Sequence, residues 1–487
     1  MEYILKNLKP SLVWKYFEDI CRIPHPSKKE EKIAAFLMDF AKTHNLEAKQ
    51  DKAGNVLIKK PATKGYENRK TIVLQSHMDM VAEKNKEKVF DFDKDPIQPV
   101  IDGEWVRADG TTLGADDGIG VATELAILVE NSIEHGPIEC LFTVDEETGL
   151  TGAFALQEGF MSGDILINLD SEDEGEIFIG CAGGGDTKAI FSYKEEPVSA
   201  DHEAYIITVK GLIGGHSGDE IHKGRGNSNK ILNRFLFEAT KKFDIELSHI
   251  EGGDKHNAIP REASAVITIS KDKAPQLNEM FDKLHAEIKN EISIQEPNFK
   301  AILEKTAMPS NVLDKKTQLN LIRALYACPH GVIAMSEKLP GLVETSTNLA
   351  SVKMQPEQKI VIGTSQRSSI ESSKQDAMNM VENVFELAGA KTFHSDGYPG
   401  WDPNPNSEIL KIAVEEYKKL FKKEPIVRAI HAGLECGLFL EKYPCMDMVS
   451  IGPTLRLVHT PEEKIEIATV DKFWKHTLAI LKNVPVK

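Results

Sequence analysis

Three short apolar runs early in the chain end in the same way, and this repetition limits what the chain can fold into. KTIVLQSHMDM (70–80), IECLFTVDEE (138–147) and DILINLDSE (164–172) each pass from apolar residues into acids or a histidine. Apolar runs of this length, bounded by polar residues, suit strands covered on both faces. Segments with helical spacing interrupt them. EEKIAAFLMDFAKTHN (30–45) precedes the first run, and DDGIGVATELAILVE (116–130), with acids in its first turn, separates the first two. Strands alternating with helices imply an α/β fold. In such sheets functional side chains gather at the carboxyl ends of the strands.

The alternation breaks at the glycine cluster CAGGGD (181–186). The cluster lacks the G-K-[ST] ending of a phosphate loop, so it reads as a hinge. Strand patterns at 204–211, 263–270 and 359–369 then share the chain with helical patterns at 229–243 and 276–292. The stretch 394–410 is rich in turn residues, and α/β character resumes after it up to a C-terminal helix. A chain of 487 residues is too long for one ordinary core. The expected architecture is therefore a discontinuous catalytic domain, 1–185 and 400–487, with a mixed central sheet flanked by helices. An α+β lid domain, 186–399, is inserted into it. No repeats or low-complexity segments are present.

Asp plus Glu number 75 against 59 Lys plus Arg, a formal charge of −16. That balance argues against nucleic acid or an anionic membrane as partner, while leaving cations as fitting ligands. The six cysteines, Cys21, Cys140, Cys181, Cys328, Cys436 and Cys445, form no C-x-x-C pair and read as reduced thiols. With no leader pattern and no apolar stretch of spanning length, a cytoplasmic protein is expected.

The chemistry lies at the ends of the runs: His77 and Asp79 in SHMDM, Asp116 and Asp117 in GADDG, Glu146 and Glu147 in DEETG, and Asp170 in NLDSE. One acid at a strand end is unremarkable. So many carboxylates gathered at one sheet edge repel one another unless cations neutralise them. Imidazole mixed with carboxylate suits zinc, manganese or cobalt better than magnesium or calcium. Glu146 and Glu147 point to opposite faces if extended, so an irregular turn at ETG is needed for both to reach one site. Asp117 fits backbone capping at the helix start.

SHMDM, GADDG, DEETG and NLDSE, in this order, resemble the co-catalytic zinc peptidases that include aminoacylases, carnosinases and bacterial di- and tripeptidases. SHMDMV, LGADDGIG, DEETGLTGA and HAGLECG are similar to the aminoacyl-histidine dipeptidases within that family. The resemblance implies two divalent metal ions, zinc or else cobalt or manganese, with a water between them. His77 and Asp170 would hold one ion, Glu147 and His459 the other, and Asp116 would bridge. Asp79 would steady His77, and Glu146 would act as general base. In the inserted domain, His216 of GGHSG would stabilise the oxyanion. Asn257 and Arg367 would hold the substrate's carboxylate and backbone, and Gly433 would offer backbone contacts. The implied reaction is hydrolysis of small unblocked dipeptides, Xaa-His and β-alanyl-histidine included, by a chain that could be a homodimer. An N-acyl-amino-acid deacylase, a tripeptidase and a non-catalytic metal-binding protein are the alternatives.

Overall fold

The buried apolar runs do become the centre of a sheet. A computed structural model describes residues 3–487, which divide into two compact units. The first comprises residues up to Cys181, Trp401–Ala429 and Leu434–Lys487; the second is Ala182–Gly400 with Ile430–Gly433.

In the first unit an eight-stranded mixed sheet runs in the order Glu47–Gln50, Val56–Lys60, Ile138–Thr143, Ile72–His77, Ile165–Asn168, Asp447–Ser450, Glu176–Cys181, Ile426–Ile430. The strands Ile138–Thr143, Ile72–His77, Ile165–Asn168 and Asp447–Ser450 are parallel to one another. Ile72–His77, Ile138–Thr143 and Ile165–Asn168 are buried at every residue, which is why no polar alternation appears in their sequence. Helices flank the sheet. Ala115–Val129 packs on Ile72–His77 and on the helix Ser11–Cys21, and Glu408–Phe421 packs on Asp447–Ser450 and on Ile467–Lys482. Register sets His77 opposite Thr143 and Gln75 opposite Asn168, so the carboxyl ends of the three apolar strands lie level.

A small four-stranded sheet completes this unit, in the order Leu455–Arg456, Lys464–Glu466, Trp105–Ala108, Pro99–Asp102. The second unit is α+β, as expected. It has a nine-stranded antiparallel sheet and the helices Ser228–Phe243, Ala274–Ile292, Lys315–Ala327 and Glu371–Leu387. Among the described residues no helix is long and apolar enough to cross a membrane.

The glycine cluster stands where the two units divide, between Cys181 and Ala182, and its three glycines lie in a strand. Gly183–Gly185 open the strand Gly183–Ser192, paired with Gln366–Ser368. A Cβ on Gly183 would stand 2.5 Å from the backbone nitrogen of Gly400, and one on Gly184 2.7 Å from the Tyr398 ring. These glycines therefore admit the segment that crosses them.

Candidate metal centre and active site

His77 is the last residue of its strand. Its Nδ1 lies 3.1 Å from the Asp79 carbonyl oxygen and 3.4 Å from Asp79 Oδ1. Nδ1 is thus the donor, and Nε2 turns its lone pair inward. That nitrogen is 3.2 Å from Asp116 Oδ1 and 3.4 Å from Asp170 Oδ1. On the other side, His459 Nε2 is 3.1 Å from Asp116 Oδ2 and 3.0 Å from Glu147 Oε2. Asp116 therefore gives one oxygen to each of two trios, His77–Asp116–Asp170 and Asp116–Glu147–His459, and within each trio the donor atoms lie within 4.8 Å of one another. Ligand atoms about 2.0–2.2 Å from a tetrahedral zinc stand roughly 3.3–3.6 Å apart, close to these separations. Glu147 Oε1 is buried without a partner, which also fits a cation as the missing neighbour.

Local structure explains how these groups arrive. The strand Ile138–Thr143 stops before the acids, and Asp145 takes a left-handed φ of 52°. Glu146–Gly149 then form one short helical turn, the irregularity that the adjacent glutamates require. Asp79 fixes that turn, its Oδ1 accepting the Glu146 N–H at 3.0 Å and its Oδ2 the Glu147 N–H at 3.3 Å. One carboxylate thus orients both the imidazole and the two glutamates. Asp116 and Asp117 have non-helical φ and ψ at the start of Ala115–Val129. Asp117 caps that helix, accepting the Gly120 N–H at 3.1 Å. A Cβ at position 120 would lie 2.3 Å from Asp117 Oδ1, so the glycine of DDGIG makes room for the cap.

Burial dominates the electrostatics. It pushes Asp170 up to about 7 and Glu146 well above the usual carboxylate range, with neighbouring acids adding to both. It also raises Glu147. The hydrogen bonds to Asp116 and Glu147 raise His459 to about 11. Burial alone would lower His77, but Asp170, Asp116 and Asp79 hold it well above the ordinary imidazole value. Asp116 is buried too, yet His459 and His77 hold it below the ordinary range. The set behaves as crowded anions that take whatever positive charge is at hand.

The remaining candidates belong to the second unit. His216 lies in a short two-stranded ladder in which Gly215 pairs Ile259 and His216 pairs Ala258, and just beyond it the Ser217 N–H donates to the Asn257 carbonyl at 2.9 Å. His216 Nδ1 accepts the Asp219 N–H at 3.3 Å, which leaves the proton of the neutral ring on Nε2. Burial and the Arg367 cation lower the pKa of His216 and favour that neutral form. Arg367 is buried on the strand Lys359–Ser368 and donates from Nη1 to Tyr398 Oη at 3.1 Å, with its Nε unpartnered. Gly433 lies against the same tyrosine, where a Cβ would stand 2.8 Å from the ring. Cys436 is buried, which pushes its thiol well up and removes it as a nucleophile.

Sequence reasoning passed over a buried polar network beneath the strand ends. Glu435 accepts from Gln75 Nε2 and Thr143 Oγ1, both at 2.7 Å, and Gln75 Oε1 accepts from Asn168 Nδ2 at 2.7 Å. Asn168 in turn accepts from Ser450. The signal was present as polar residues inside apolar strands. Glu463 was passed over as well; it accepts the backbone N–H groups of residues 113–116.

Fold and site together are those of a metallopeptidase. The model of peptidase family M20/M25/M40 matches residues 73–483, and the chain belongs to that family. It is 47% identical over 483 residues to the cytosol non-specific dipeptidase of Escherichia coli strain K12, covering 99% of each chain. It is similar to the crystal structure of an aminoacylhistidine dipeptidase from Vibrio alginolyticus, with 46% identity, a TM-score of 0.93, and 99% of this chain and 98% of that one covered. A tripeptidase from Staphylococcus aureus shares the fold at 16% identity and a TM-score of 0.57, covering 98% of this chain and 99% of that one.

Proposed function

We propose that the chain is a dipeptidase that hydrolyses small unblocked dipeptides, Xaa-His substrates such as β-alanyl-histidine among them. It acts with two divalent cations, which we assign as zinc, with cobalt or manganese able to replace it. The observation that carries this reading is Asp116, whose two oxygens face two separate ligand trios. The names of the Escherichia coli and Vibrio alginolyticus relatives support dipeptide hydrolysis, one without restriction and the other for aminoacyl-histidine. A cytoplasmic setting fits the unpaired thiols.

In this reading His77 with Asp170 would hold one cation and Glu147 with His459 the other, and Asp116 would serve both. When bound, these ions acidify a water and polarise the scissile carbonyl. Glu146 takes a proton from the attacking water as its oxygen bonds the carbonyl carbon, and returns it to the leaving amine as the C–N bond breaks. Asp79 holds the His77 tautomer and the turn that aims Glu146. His216 Nε2–H is a donor for the developing oxyanion. The Arg367 fork suits the substrate carboxylate, with Asn257 and the Gly433 backbone beside the peptide.

The test is a panel of di- and tripeptides and N-acyl-amino acids, β-alanyl-histidine included, assayed on metal-free protein with zinc, cobalt or manganese restored. Dipeptides should be cleaved only with metal present. Turnover of N-acyl-amino acids or tripeptides in preference to every dipeptide would overturn the assignment.

A further inference from the structure

Glu463 lies four residues beyond His459, and its carboxylate is buried. Oε2 accepts the N–H groups of Leu113 at 2.8 Å and Gly114 at 3.1 Å, and Oε1 those of Ala115 at 2.8 Å and Asp116 at 3.3 Å. A carboxylate spread over four successive amides usually marks a helix start. Here that role is already filled, because Asp116 and Asp117 are non-helical and Asp117 caps the helix through Gly120. Glu463 instead grips the loop before the helix, the loop that ends on Asp116.

The covalent path closes the argument. Leu455–Arg456 pairs antiparallel with Lys464–Glu466, and His459 sits with a left-handed φ of 62° in the loop between them. Lys464–Glu466 also pairs with Trp105–Ala108, the strand that leads into the loop of residues 109–116. Strand pairing thus holds the base of both loops, and Glu463, next to Lys464 at the base of the His459 loop, reaches the far end of the 109–116 loop at Asp116.

We propose that Glu463 is a positioning residue that locks the Asp116 loop to the His459 loop, so that one carboxylate sets the geometry of the two-metal centre. The proposal rests on the metal-site reading above. Because Asp116 faces both trios, loosening this lock weakens both ions together.

The experiment titrates metal-free protein with zinc by calorimetry and records the cobalt absorption spectrum of wild type, Glu463→Gln, Glu463→Asp and Glu462→Gln. Glu463→Gln, which sets amide hydrogens against backbone N–H groups, should weaken both ions about 10–100-fold, the span typical of groups that orient ligands. Its cobalt bands should shift. Glu463→Asp keeps the charge but is one methylene shorter, and should fall between it and wild type. Glu462, exposed beside it, should titrate as wild type. If Glu463→Gln does not fold, Glu463→Asp decides by the same measure. Wild-type affinity at both sites with an unchanged spectrum would overturn the lock. A wild-type protein that binds no zinc would overturn the metal-site reading instead.

Discussion

At the scale of single residues, the proposed mechanism gives Asp116 and Glu146 different work. An oxygen of Asp116 faces each imidazole, at 3.2 and 3.1 Å, whereas His77 touches one trio alone. Asp116→Ala should therefore release both ions on dialysis and His77→Ala mainly one; equal loss of metal from the two variants would sink the bridge. Glu146 is absent from both trios, so its substitution should spare the metals. Glu146→Gln should keep metal content and lose kcat by about a hundredfold or more, the contribution of a positioned proton carrier. An active Glu146→Gln, or one emptied of metal, contradicts the role. For His216 the expected loss is about 2.7–4 kcal/mol of transition-state stabilisation in His216→Ala. A rise in KM alone would instead mark a contact to the bound substrate.

At the scale of elements, the site depends on how strands stop. Asp79 takes both glutamate amides at the end of Ile138–Thr143 and steadies His77 at the end of Ile72–His77. Asp79→Ala should free the turn as well as the imidazole. Hydrogen exchange at the Glu146 and Glu147 amides should speed up, and zinc affinity should fall about 10–100-fold. Unchanged exchange there would restrict Asp79 to the histidine. Much of this was legible in the sequence. Strands buried on both faces print as unbroken apolar runs, and an acid directly after such a run lies at a carboxyl end whatever the loop does. Glu463 was not legible, because it reaches Asp116 across 347 residues and binds backbone, which carries no side-chain signature. The strand Gly183–Ser192 was not legible at its glycines, because the packing of residues 397–400 that excludes a Cβ is set far along the chain.

At the scale of the whole molecule, metal and protons both bear on stability. Every candidate metal ligand among the described residues belongs to the first unit, so the cations proposed for it would stabilise that unit by mass action. The second unit carries two histidines of lowered pKa, His431 buried and His330 half-buried. Burial lowers His330 to about 4, and its Nδ1 accepts the Leu349 N–H at 3.4 Å. Burial, aided by Arg367, lowers His431 to about 3. An unfolded histidine titrates near 6.5, so as pH falls below that value the unfolded chain binds protons that the folded unit refuses. The stability these groups allow is complete above about pH 6.5 and drains away toward pH 4 for His330 and pH 3 for His431, by up to about 1.4 kcal/mol per pH unit for each. His330→Gln keeps an acceptor for Leu349 and removes the titration. Native-state hydrogen exchange on the strand His202–Lys210 of metal-free protein, followed from pH 7.5 to 5, should therefore lose protection more slowly in this variant than in wild type. Parallel slopes would mean that His330 keeps its ordinary affinity for protons in the fold.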